Sequence, residues 1–195
     1  VNDHGADDAF PIGDIDDILP GLLESRERVF YTMGAVPDFD QQLMGWINHL
    51  RSQSRAGQRP PEEFVSLEHL VHDMRLYKSR AEVKVMRRAA TVAANAHKRA
   101  MRECRPGLIE YQLEAAFLHE FRMAGGEPAY PSIVGGGENA CILHYTENNK
   151  PLKDGELVLI DAGVELEYYA SDITRTFPVN GRFNKEQRQV YQLVL

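Results

Sequence analysis

The chain has little cysteine, no long apolar run and no basic cluster, and each shortage excludes something. Its two cysteines, Cys104 and Cys141, lie far apart and form no Cys-x-x-Cys pair, so free thiols in a reducing cytoplasm are expected. The apolar run Leu157 to Ile160 ends at Asp161, and no other stretch approaches the length of a membrane span. The 22 Lys and Arg against 29 Asp and Glu leave a net charge of −7, which argues against nucleic acid as a partner. No positively charged segment leads into an apolar stretch at the start, so no signal peptide is read there. Internal repeats and low-complexity blocks are also missing. What is present is an ordinary globular composition, 43% hydrophobic, too apolar for disorder throughout. The 195 residues allow one to two domains. The chain opens on Val1 and closes on Leu195 inside an apolar helical pattern, and neither end is expected to be a natural terminus.

The first seventeen residues hold six Asp and no Lys or Arg, which reads as a solvated, partly disordered loop. Arg28 to Gly34 reads as a strand and Phe39 to Arg51 as a helix. Pro60-Pro61 marks a loop before a short strand at Phe64 to Leu67. Ser79-Arg80-Ala81-Glu82 is a capping box and should open a long helix. Its inward face is read as Val83, Met86, Ala90, Ala93, His97 and Met101. A second helix runs from about Ile109, with Leu113, Ala116, Phe117 and Phe121 inward and Gly125-Gly126 as its stop. Strands are expected at Ile133-Val134, Ala140 to Tyr145, Leu157 to Ala162 and Asp172 to Phe177. Asn184 starts a last helix whose buried face would be Val190, Tyr191 and Val194. The domain boundary falls just before Ser79, giving 1–78 as the end of a small α/β domain and 79–195 as the start of a second domain.

Asp161 ends an apolar run that reads as a strand buried on both faces, where an ionised carboxylate needs a partner. A hairpin with its tip near Leu166-Glu167 would pair Asp161 with Asp172 on one face. Two carboxylates so placed would share a proton or hold a cation. Hard oxygen ligands favour Mn²⁺, Mg²⁺ or a Co²⁺-like ion over a thiolate zinc site. The alternative is two unrelated acids, one of them paired with Arg175. His144, in the expected strand at Ala140 to Tyr145, is either a structural histidine or a donor and proton shuttle at a substrate carbonyl. Gly135-Gly136-Gly137 lacks the spacing of a phosphate loop. Ser132 and Ser171 lack a nucleophile elbow. Cys141 and His144 would point to opposite faces of their strand.

Taken together, Ile142-Leu143-His144-Tyr145-Thr146-Glu147-Asn148, Leu159-Ile160-Asp161-Ala162-Gly163 and Ser171-Asp172-Ile173-Thr174-Arg175-Thr176-Phe177 resemble the Xaa-Pro aminopeptidases of the pita-bread metallopeptidase group. Met74 to Ser79 and Arg102 to Gly107 fit the same pattern. The resemblance implies an α/β plus α+β architecture, in which the later part of a creatinase-like domain precedes the first half of a pita-bread catalytic domain. It implies a dinuclear centre, usually manganese, with Asp161 chelating one metal and Asp172 bridging both. His144 would bind substrate beside the scissile carbonyl, and Tyr130 would lie near the pocket. The implied reaction removes the first residue of a peptide whose second residue is proline, using hydroxide formed between the metals. Three further ligands, one His and two Glu, would lie in the second half of the pita-bread, so these residues alone are expected to be inactive. Dimers or tetramers are expected from the resemblance. Prolidase, acting on dipeptides, and a non-catalytic pita-bread peptide-binding module are the rival readings.

Overall fold

The structure is a computed structural model and describes residues 5–195. It divides into two compact units, Val1–Tyr77 and Lys78–Leu195. In the first unit the elements are α1 (Ile15–Leu23), β1 (Arg28–Phe30), α2 (Pro37–Ser52), β2 (Glu63–Val65) and α3 (Leu67–Leu76). Strands β1 and β2 pair in parallel, Val29 opposite Phe64. Leu43, Trp46, Ile47 and Leu50 recur at helical spacing on α2 and are buried with Leu23, while Val29 and Phe64 pack against them from the sheet.

The acidic start is not a loop throughout. Val1 to His4 lie outside the described residues, but α1 begins at Ile15 with Asp16 and Asp17 in its first turn. Carboxylates there are favoured by the positive end of the helix dipole. Asp16 also accepts a hydrogen bond of 2.8 Å from the Trp46 indole, so an acid read as solvated serves the packing of this unit. Leu67, read as the end of a strand, opens α3 instead.

The second unit holds two long helices, α4 (Arg80–Glu103) and α5 (Glu110–Met123). They are followed by β3 (Glu127–Pro128), β4 (Ile133–Gly136), β5 (Leu157–Ala162), β6 (Val164–Leu166), β7 (Tyr169–Ala170), β8 (Ile173–Pro178) and α6 (Lys185–Val194). Two antiparallel sheets form, β3-β6-β7 and β4-β5-β8. The core lies where Val158, Ile160 and Ala162 of β5 meet the buried faces of α4 and α5. On α5 the buried face is Leu113, Ala116, Phe117 and Phe121, as their spacing predicts.

On α4 the buried stripe is Ala89, Ala93, Ala96, His97 and Ala100. Val83, Met86, Ala90 and Met101 from the expected face are exposed. The helix turns Ala89, Ala93, Ala96 and Ala100 inward because a small side chain lets its backbone approach α5 and the strands closely, a choice that hydrophobicity alone does not reveal. The expected strand at Ala140 to Tyr145 is also absent. A short 3-10 helix covers Gly137–Cys141, and a turn follows through His144. Cys141 and His144 therefore do not lie on opposite faces of a strand. On α6, Val190 and Val194 are 63% and 83% exposed, so the apolar face expected to be buried is open among the described residues.

Helix α4 starts as its capping box dictates: the Glu82 amide donates to Ser79 Oγ at 3.3 Å and the Ser79 amide donates to Glu82 Oε2 at 2.5 Å. The Tyr169 hydroxyl adds a third bond, donating to Glu82 Oε1 at 2.7 Å and tying the helix start to β7. The hydroxyl of Tyr169, with the Ser79 amide, holds the Glu82 carboxyl down from 4.5 to about 2. A carboxyl depressed in the folded state stabilises it above the unfolded value, and the benefit fades as acid protonates it. Protection of the first-turn amides of α4 against hydrogen exchange should therefore fall as pH drops from 4.5 to about 2. Ser79→Ala should weaken the same amides by about 1 kcal/mol; unchanged exchange in that variant would contradict the cap.

Candidate metal centre

Strand β5 alternates, with Val158, Ile160 and Ala162 buried and Leu157, Leu159 and Asp161 half-buried. Asp161 thus stands on a partly open face rather than inside a strand buried on both sides. The observed register also differs from the expected one. Asp161 lies opposite Thr174, not Asp172. The reason is the hairpin tip, which sits at Glu167 and Tyr168, one residue later than expected. Both tip residues have positive φ, 50° and 68°, the signature of a tight two-residue turn, yet neither is the Gly or Asn that marks such turns in sequence. Moving the tip by one residue shifts the pairing by two, and a shift of two keeps every side chain on its face. Asp161 and Asp172 therefore still share a face, as diagonal neighbours.

The two carboxylates meet at one atom. The Tyr130 hydroxyl lies 2.7 Å from Asp161 Oδ1 and 2.9 Å from Asp172 Oδ1. It has one proton, so it donates to one oxygen and leaves the other close beside it. Burial and the two carboxylates push the Tyr130 hydroxyl's pKa up, so it stays protonated. Arg175 does not neutralise the pair: its guanidinium donates to the Thr174 carbonyl at 2.7 Å. Among the described residues neither acid forms an ion pair.

Gly163 makes the arrangement possible. A Cβ at this position would overlap the Ser171 carbonyl oxygen, so only glycine lets the chain pass between the two acids. Ser171 closes the gap, its hydroxyl accepting from the Val164 amide at 2.9 Å. Behind the sheet, buried His97 bonds the Ile173 carbonyl at 2.9 Å and stacks edge-on to Phe117. Burial lowers the His97 pKa and keeps its ring neutral, so Nε2 is the donor.

Tyr130, Pro131, Ile133, His144, Thr146, Asp161 and Asp172 line one cleft of about 360 Å³. Each sequence-predicted site residue is in it. His144 reaches it from an exposed turn with φ 56°, not from a strand. Hard carboxylate oxygens converging in an open cleft without a cationic partner suit a hard divalent ion. Two carboxylates are fewer ligands than such an ion takes. No group of three or more His, Cys, Asp and Glu able to hold a metal occurs among the described residues.

Residues 84–195 match the sequence profile of metallopeptidase family M24. The chain belongs to this family.

Among relatives of this M24 chain, the Xaa-Pro aminopeptidase of Escherichia coli strain K12 is 46% identical over 192 residues, 98% of this chain and 44% of that protein. The structure of Pseudomonas aeruginosa aminopeptidase PepP matches with a TM-score of 0.93 and 66% identity, over 98% of this chain and 44% of that one. A zinc-substituted E. coli aminopeptidase P in complex with product matches with a TM-score of 0.92, 46% identity and coverage of 97% and 43%. The M24 chain thus has the mixed α and β fold of the corresponding part of aminopeptidase P, and spans less than half the length of these relatives.

Sequence reasoning missed the residues that hold the His144 turn. Asn148, buried with φ 47°, accepts from the Val134 amide at 2.9 Å. It donates to the Ser132 carbonyl at 2.9 Å and to Glu114 Oε2 at 3.0 Å. Glu110, fully buried, holds the other side of the same loop. A positive-φ Asn is a sequence signal only in hindsight, and an acid in the first turn of a helix reads as a dipole partner, not an anchor.

Gly163→Ala should cost about 1–3 kcal/mol of stability through overpacking, read by urea unfolding. Stability equal to the unsubstituted protein would show that the strand has room that the close approach denies.

Proposed function

We propose that a protein carrying these residues at the full length of its relatives is a metallo-aminopeptidase that removes the first residue of peptides with proline second. The observation that carries this reading is the convergence of Asp161 and Asp172 on one hydroxyl, in a cleft that His144 also lines. The identity to Xaa-Pro aminopeptidases supports the substrate class.

In this reading Asp161 and Asp172 hold two divalent ions together with ligands from beyond residue 195. Manganese is the proposed metal. Such ions supply the positive charge that lets water ionise near neutral pH. The protein's own residues do the rest. The Tyr130 hydroxyl orients the carboxylate to which it donates and lies within hydrogen-bond distance of the other. His144, which lines the cleft from an exposed turn, would donate a hydrogen bond to the carbonyl oxygen preceding proline as that oxygen gains charge. Pro131 and Ile133 offer an apolar wall for the substrate. Residues 1–78 are read as the later part of a creatinase-like domain, and 79–195 as the first half of the pita-bread domain. By themselves they would lack the ligands for turnover. A homo-oligomer, dimer or tetramer, belongs to the same proposal. The two free thiols, Cys104 and Cys141, support a reducing cytoplasmic setting.

In the full-length protein, Asp172→Asn should lower turnover of an Xaa-Pro peptide by more than about 100-fold, since even groups behind a ligand are worth 10–100-fold. Its circular dichroism should not change. Substantial residual activity would remove Asp172 from the centre. Cleavage of longer Xaa-Pro peptides separates this reading from a prolidase, which would favour Xaa-Pro dipeptides. A peptide-binding module would bind and cut neither.

A further inference from the structure

Glu110 is a buried carboxylate that forms no ion pair among the described residues. It is 0% exposed, at the first position of α5, and takes part in none of the chemistry described above. Four donors from one loop surround it, two to each oxygen. The Gly136 amide and the Asn139 side chain donate to Oε1 at 2.9 and 3.0 Å. The Tyr145 hydroxyl and the Lys150 amide donate to Oε2 at 2.6 and 3.0 Å. Burial alone would push this carboxyl up, but the four donors outweigh it and hold it below its usual range. The ion is thus the form that the loop is built around.

The positions of those donors are informative. Gly136 is the entry of the loop, Lys150 is at its exit, and Asn139 and Tyr145 lie between. Asn139 also donates to the Tyr145 hydroxyl at 3.0 Å, so the two inner contacts brace one another. Tyr145 is buried and directly follows His144, which is exposed and in the left-handed region. With Tyr145 pinned inward to Glu110, the preceding residue is turned outward into the cleft. A non-glycine residue held at positive φ needs such a clamp, because the conformation is not favoured locally.

We propose that Glu110 is the positioning residue for His144: its buried carboxylate gathers the 136–150 loop and sets the imidazole against the substrate carbonyl. The proposal rests on the substrate-binding role of His144 given above. It assigns Glu110 no contact with substrate or metal.

Glu110→Gln is the sharp test, because the amide has the same size and opens no cavity, yet its NH2 group faces two of the four donors. In the metal-loaded full-length enzyme, E110Q should lower kcat/KM on an Xaa-Pro peptide by about 10–100-fold, the loss that a misplaced catalytic group brings. In the His144→Ala background the same change should have little further effect, since an imidazole that is gone cannot be misplaced. Metal content should stay at the unsubstituted level. In metal-free protein, hydrogen exchange should speed up across 137–150 and remain unchanged in β5. Equal losses in both backgrounds, loss of metal, or unaltered exchange in the loop would overturn the proposal. If E110Q does not fold, Tyr145→Phe carries the test: a loss that disappears in the H144A background supports the role, and a loss that persists there, or none, overturns it. Failure of the functional reading looks different, because unsubstituted enzyme would then not cut Xaa-Pro peptides, or H144A would cut them as well as it does.

Discussion

The close approach of Gly163 to the Ser171 carbonyl is the contact on which the candidate centre depends. It lets one long hairpin, β5-β6 against β7-β8, keep its register across the break between its two halves. A side chain at 163 would force the strands apart at the level where Asp161 and Asp172 must meet. The Ser171 hydroxyl replaces the ladder bond that the break removes. One small residue and one hydroxyl thereby bring two like charges to within hydrogen-bond distance of a single tyrosine oxygen. Two like charges so placed repel unless they share a proton or hold a cation.

The surroundings divide the work. The alanine stripe of α4 and the phenylalanines of α5 form a dry support on one face of β5, and the other face is left to chemistry. His97 fastens the support to β8 beside Asp172 through a neutral ring, which adds no charge behind the acids. The loop between β4 and β5 takes a different solution. It has little regular structure, and it is held by two buried polar anchors: Glu110 accepts from groups of the loop, and Asn148, within the loop, bonds the Val134 amide, the Ser132 carbonyl and Glu114 outside it. Such anchors are directional in a way that apolar packing is not, which suits a turn that must present one side chain.

Long elements with strong local signals were legible. The capping box at Ser79, the helix start at Asn184, the spacing of Leu113, Phe117 and Phe121, and the apolar run of β5 each predict what forms. Faces and loops were less so. Met86 and Met101 outrank alanine in hydrophobicity, yet close packing preferred alanine. Ala140 to Tyr145 is apolar enough for a strand, but Glu110 draws Asn139 and Tyr145 to a single point and a strand cannot do this. The apolar positions of α6 show the limit from the other side: Val190, Tyr191 and Val194 line an open groove of about 690 Å³, because periodicity tells which residues share a face and not what covers it.

By itself the sequence determined the pairing of chemistry with position: two acids eleven residues apart, a glycine after the first, a histidine upstream, and their likeness to a metallopeptidase family. Parity then protected the conclusion, since a register error of two residues leaves both acids on one face. Only the tertiary structure decided the tip at Glu167 and Tyr168, the turn that exposes His144, and the buried Glu110 that gathers the loop behind it. Those features arise from contacts between segments distant in the chain, where a positive φ or a buried charge is stabilised by partners that no local pattern announces.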